Sequence, residues 1–128
     1  MVYVIDDDES VRRALQRLLR SAGLDVKAFS SAEEFLQSGN LDEKGACIIL
    51  DIRMPGLTGF DLQEKLASKG IRIPVITVSA FDDAATRERA RKLGATAFFR
   101  KPVDGEALID AIHWAIGITK HDSLPSKS

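Results

Sequence analysis

Four short apolar runs each lead into a residue suited to phosphoryl chemistry. Val2–Ile5 runs into Asp6-Asp7, Ile48–Leu50 into Asp51, Val75–Val78 into Ser79, and Ala97–Arg100 into Lys101. Carboxylates in a group offer the oxygen ligands that a hard divalent cation prefers, and a carboxylate beside such an ion can itself act as a nucleophile. A hydroxyl and an ammonium supply the hydrogen bonds and charge that hold a transferring anionic group. The set works only if the four endings meet, which they do if the runs are parallel strands of one sheet.

Taken singly, each residue has a plainer reading. Asp6-Asp7-Asp8-Glu9 reads as the acidic start of a helix set against its dipole, and Asp8 and Glu9 fit that role best. Asp51 alone is a turn residue, Ser79 a loop hydroxyl, Lys101 a solvated charge. His113 and His121 have no acidic or cysteine partner at metal-ligand spacing. The case rests on joint placement, and so on the elements that would position these residues.

The chain alternates five times between a short apolar run, a turn and a segment with helical spacing, the pattern of a parallel sheet covered on both faces. Glu9–Ser21 puts Val11, Leu15, Leu18 and Leu19 on one side and ends at Ala22-Gly23. Asp25–Phe29 makes a second strand. Ser31 and Glu34 have the spacing of a capping box opening a short helix that Gly39-Asn40 closes. Ala46–Leu50 is the third strand. Asp51-Ile52-Arg53-Met54-Pro55-Gly56 then forms a shaped loop, and Gly59 precedes an amphipathic segment carrying Phe60, Leu62 and Leu66. Pro74 precedes the fourth strand, outside its ladder. Asp83–Leu93 is a polar helix of weak apolar content, a candidate moving part. Asp104 caps a last helix whose Leu108, Ile109, Ile112 and Ile116 recur at helical spacing, and the pattern stops after Gly117.

Composition bounds the function. The 128 residues, 45% of them apolar, suit one domain with a single core. With 18 basic against 19 acidic residues the overall composition lends no support to a nucleic-acid or membrane surface on this segment. Cys47 has no partner in the chain, which excludes a disulfide framework and suits a reducing compartment. No apolar run reaches the roughly 18 residues of a spanning helix, so the reading is a cytoplasmic, soluble protein. Residues 1–118 form the expected domain. The polar residues 119–128 read as a disordered tail or linker.

In open α/β sheets ligands bind outside the carboxyl ends of the strands, where strand order reverses. The ordered set of Asp6-Asp7, Asp51, Ser79-Ala80 and Lys101-Pro102, with Met54-Pro55-Gly56 and Gly94-Ala95, resembles the response-regulator receiver family of two-component systems over about Val2 through Ile116. The resemblance implies a flavodoxin-like (βα)5 doubly wound five-stranded parallel sheet of order 2-1-3-4-5. It implies that Asp51 takes a phosphoryl group from a phosphohistidine on a sensor histidine kinase, giving an acyl phosphate. It also implies magnesium, for which manganese or calcium can substitute, touched directly by Asp7 and by Asp51, held by Asp6 largely through water, and completed by the backbone carbonyl of Arg53. Lys101 would pair with Asp51 beforehand and with a phosphoryl oxygen afterwards, the Ser79 hydroxyl would bind another, and a cis Lys101-Pro102 bond would aim the lysine inward.

The family's switch implies that Ser79 moves toward the phosphoryl oxygen while Phe98, three residues before the lysine, turns inward. The surface of the fourth helix, fifth strand and fifth helix would respond, with dimerisation there a family expectation. Many relatives carry tyrosine at this position. Phe98 has no hydroxyl, so its readout would be apolar. Arg53 and Phe81, both bulky, are expected to restrict an attacking water and slow hydrolysis. A magnesium-dependent phosphatase is disfavoured, because such hydrolases usually place an acid two after the nucleophile, where this chain has Arg53. A flavodoxin-like binding module lacks a phosphate-cradling loop after the first strand. Ser30-Ser31-Ala32-Glu33-Glu34-Phe35-Leu36 and Asp51-Ile52-Arg53-Met54-Pro55 look like receivers that precede a LuxR-type DNA-binding domain, so the expected output is transcription through a domain outside this segment. A single-domain regulator acting by protein–protein contact is the alternative.

Overall fold

A computed structural model of the chain describes residues 1–38 and 44–121. Five strands, β1 (Val2–Ile5), β2 (Val26–Phe29), β3 (Cys47–Asp51), β4 (Val75–Ser79) and β5 (Ala97–Arg100), form one sheet. Five helices alternate with them: α1 (Glu9–Ser21), α2 (Ala32–Gln37), α3 (Gly59–Ser68), α4 (Ala84–Lys92) and α5 (Gly105–His121). All pairings are parallel and the strand order is β2-β1-β3-β4-β5. This is the flavodoxin-like arrangement, with the order reversing between β1 and β3.

The central strands read as unbroken apolar runs because both of their faces are covered. Alternate side chains supply two separate cores. Tyr3, Ile5, Ile48, Leu50 and Val75 pack with Phe29, Phe35, Leu62 and Leu66 toward α2 and α3. Val2, Val4, Cys47, Ile49, Ile76 and Val78 pack with Leu15, Leu19, Leu108 and Ile112 toward α1 and α5. Cys47 is fully buried, and that desolvation pushes its thiol up to about 12.

Local chemistry sets the helix starts. Asp8 accepts from the amides of Ser10 and Val11 at the head of α1, Ser31 from Glu34 at α2, Asp83 from Thr86 at α4, and Asp104 from Glu106 at α5. At α3, Thr58 and Asp61 exchange side-chain and backbone hydrogen bonds in a capping box. Helix α4 buries only Ala90, in keeping with its weak apolar content.

Two strands run one residue further than their apolar runs. Asp51 and Ser79 are the last ladder residues of β3 and β4, since ladder bonds depend on backbone alone. Helix α5 departs more: it continues to His121, so residues 119–121, expected in the tail, are helical. The end of an apolar period is not a stop signal, and Gly117 lies within the helix without positive φ. The expected closing turn at Gly39-Asn40 and the tail from residue 122 lie outside the described residues. Among the described residues, no helix is long and apolar enough to cross a membrane.

Candidate functional site: an acidic cluster at the carboxyl edge of the sheet

The ladder continues through the residues singled out in the sequence. Asp6 N donates to Phe29 O at 3.1 Å, Ile52 N to Val78 O at 3.1 Å, and Lys101 N to Ser79 O at 2.8 Å. With β1 paired to β3 up to Ile5 and Leu50, the backbones beside Asp6, Asp51, Ser79 and Lys101 are fixed to one another before any side chain is considered. Gly59 tightens the arrangement. A Cβ there would stand 2.6 Å from the Asp51 carbonyl oxygen and 2.7 Å from Ile52 Cα, so only glycine lets the start of α3 close onto the end of β3. Its own amide donates to Ile52 O at 2.8 Å.

Three carboxylates gather at this edge. One oxygen from each of Asp6, Asp7 and Asp51 lies within 4.8 Å of the other two. Asp6 and Asp51 are buried, and Asp7 is exposed. Lys101 is the nearby cation, with Nζ 2.8 Å from Asp6 Oδ2 and 3.3 Å from Asp51 Oδ1. Its nearer partner is thus Asp6, whereas the sequence reading paired it with Asp51. The other oxygen of Asp6, Oδ1, accepts the Asp8 amide at 2.9 Å, and the Asp6 carbonyl accepts from Arg12 at 2.7 Å.

Burial first, then the charge of Asp6, pushes the Asp51 carboxyl up to about 7, against the opposing pull of Lys101. Lys101 is held above the usual ammonium range: burial works against its charge, but the bond to Asp6 and the charge of Asp51 outweigh it. The three carboxyl groups outnumber the cations beside them, the Lys101 ammonium and the Arg12 guanidinium. A hard, oxygen-seeking cation fits that donor set.

Ser79 is fully buried, and its Oγ accepts from the Phe81 amide at 3.0 Å. Phe81 is half exposed, and the guanidinium of Arg53 stacks on its ring across the two loops. The Lys101–Pro102 peptide bond is cis. Phe98 is on the same face of the sheet as Ser79, two positions earlier along the β4–β5 ladder, opposite Thr77. Sequence reasoning missed Arg12, whose place on α1 reads as an ordinary polar helix position, and the close approach at Gly59, which passes for a loop glycine.

A doubly wound parallel sheet carrying an aspartate cluster, a hydroxyl and a lysine at its carboxyl edge defines a class of α/β domains with an acidic site at the strand ends. The comparisons narrow it. The model of the response regulator receiver domain matches residues 2–113, and the chain belongs to that family. It is 46% identical over 116 residues to response regulator protein TmoT of Ectopseudomonas mendocina, covering 91% of this chain and 52% of that protein. It is 41% identical over 116 residues to transcriptional regulatory protein FixJ of Azorhizobium caulinodans, covering 91% of this chain and 54% of that protein. Among solved structures, response regulator StyR superposes with a TM-score of 0.86 at 41% identity, over 94% of this chain and 61% of that one. The chain spans about half the length of the curated relatives it matches.

Proposed function

We propose that this receiver domain accepts a phosphoryl group on Asp51 from a phosphohistidine of a sensor histidine kinase and uses it to switch the surface formed by α4, β5 and α5. The observation that carries the reading is Asp51 itself: a buried carboxylate at the end of β3, 3.3 Å from the Lys101 ammonium and grouped with Asp6 and Asp7. Its oxygen attacks phosphorus, the bond to the imidazole nitrogen breaks, and an acyl phosphate remains.

Asp7, Asp51 and the Arg53 carbonyl would hold magnesium directly, with Asp6 behind water. Both Asp6 oxygens already have protein partners, which supports its indirect role. When bound, magnesium supplies charge neutralisation and polarises the phosphoryl oxygens. Lys101 can leave Asp51 for a phosphoryl oxygen while keeping its bond to Asp6. The Ser79 hydroxyl accepts from Phe81, so its proton is free to be donated to another phosphoryl oxygen. Ser79 then moves toward the phosphate and Phe98 fills the space behind it. Each domain takes up one phosphate and loses it by hydrolysis, so the domain is a switch and not a turnover enzyme.

The relatives, about twice as long, include a protein named as a transcriptional regulator. That supports an output through a DNA-binding domain outside this segment, connected through the chain that follows α5. The absence of nucleic-acid contact from the receiver, a cytoplasmic location, and phosphorylation-dependent pairing through α4, β5 and α5 complete the proposal.

Intact mass after incubation with acetyl phosphate and magnesium tests it. One phosphate adduct that requires magnesium and vanishes in Asp51→Asn is expected. No adduct in the wild type would leave only an interaction module, and an adduct surviving in Asp51→Asn would place the nucleophile elsewhere.

A further inference from the structure

Two arginines of helix α4 reach toward neighbouring elements. Arg89 places its guanidinium 4.4 Å from the Phe60 ring centroid and 3.7 Å from Glu64, tying α4 to α3. Buried Gln63 on α3 adds a hydrogen bond from its amide nitrogen to the Ala90 carbonyl at 3.1 Å. Arg87 reaches the other way. Its Nε bonds the Asp82 carboxylate, and its guanidinium carbon stands 5.2 Å from the centroid of Phe98, inside the ~6 Å over which a guanidinium is drawn to a ring face.

Phe98 is the aromatic assigned to the switch, and it is half-buried and joins neither of the two apolar cores. The described contact that arrives from α4 is a guanidinium. Asp82, the other partner of Arg87, belongs to the loop that carries Phe81 and follows Ser79. One arginine thus touches the aromatic and the loop leading away from the hydroxyl.

We propose that Arg87 is a positioning residue of the switch, holding Phe98 in its resting arrangement and tying it, through Asp82, to the loop after Ser79. The inference rests on the reading of Ser79 and Phe98 as the moving pair. An inward turn of the ring breaks its contact with the guanidinium, so the contact favours the unphosphorylated arrangement. Phosphorylation must then draw on a smaller population of the turned-in form, and apparent reactivity falls in proportion.

The test is the initial rate of phosphorylation by subsaturating acetyl phosphate with magnesium, read by intact mass. Arg87→Ala is expected to raise the rate about two- to fivefold, the Boltzmann factor of one exposed cation–π contact. The same substitution in a Phe98→Ala background is expected to change nothing. Arg89→Ala supplies the structural control: it loosens α4 without touching Phe98, so its α4 amides exchange faster while the rate stays at wild type. No gain in Arg87→Ala, or an equal gain in the Phe98→Ala background or in Arg89→Ala, overturns the assignment. If wild type takes no adduct, the receiver reading fails and this inference falls with it. An adduct with an unmoved Arg87→Ala rate removes the inference alone.

Discussion

The guanidinium of Arg53 lies 3.8 Å from the centroid of the Phe81 ring, joining the loop after β3 to the loop after β4 beside Asp51 and Ser79. Each residue is two positions past one of those site residues, and together they place a cation on a ring between the two loops.

Bulk at these two positions is expected to restrict an attacking water. The phosphorylated Arg53→Ala, Phe81→Ala double variant is expected to decay about three- to tenfold faster than wild type, a barrier change of roughly 0.7 to 1.4 kcal/mol. The decay of intact mass after removal of phosphodonor measures it, and an unchanged lifetime would show that the stacked pair has no part in hydrolysis.

Removing charge from the acidic cluster should stabilise the metal-free fold. In Asp51→Asn the cost of burying its charge and its repulsion with Asp6 are lost while Lys101 keeps its bond to Asp6. At pH 8 in chelator the variant is expected to gain about 1 to 2 kcal/mol, seen as a thermal midpoint several degrees higher. Millimolar magnesium should then raise the wild type and leave the variant nearly unmoved. An equal rise in both would mean that the metal binds elsewhere.

Gly59→Ala forces a methyl against the Asp51 carbonyl and Ile52 Cα, both backbone atoms that cannot swing aside. The expected cost is about 1 to 3 kcal/mol by chemical denaturation. Slower phosphorylation should accompany it, because the end of β3 shifts. A variant as stable as wild type would show that α3 moves away without strain.

The capping box of α3 makes a pH-dependent contribution. The Thr58 amide, then the Thr58 hydroxyl, hold the Asp61 carboxyl below its ordinary 3.8. A carboxyl depressed on folding contributes stability that is present above its unfolded value and is lost as pH falls through the folded one. Asp61→Ala should therefore be less stable than wild type at pH 7, with the difference shrinking in acid below about pH 3.8. A gap that stays constant across that range would show that the carboxylate's charge contributes nothing.

The placement of Asp6, Asp7, Asp51, Ser79 and Lys101 at one edge was legible because parallel strands carry their endings to a common side. The preference of Lys101 for Asp6 was not, since it depends on the reach of one flexible stem between two carboxylates a few ångströms apart. Arg53 and Phe81 stood out as bulky neighbours of the site, but their stacking joins residues 28 positions apart in the sequence and follows from loop shape. The box at Thr58 and Asp61 escaped notice because aspartate stands where glutamate or glutamine marks the motif. The last helix outran its apolar pattern because Gly117 does not take the positive φ of a helix stop.

A helix seated on aliphatic side chains is insensitive to dissolved ions; one seated on exposed arginines is not. Only Ala90 of α4 is buried, while Arg87 and Arg89 meet their acidic partners at the surface, where ionic strength weakens such attractions. The contacts that hold α4 are therefore in part electrostatic, and the salt around the domain sets how firmly they hold.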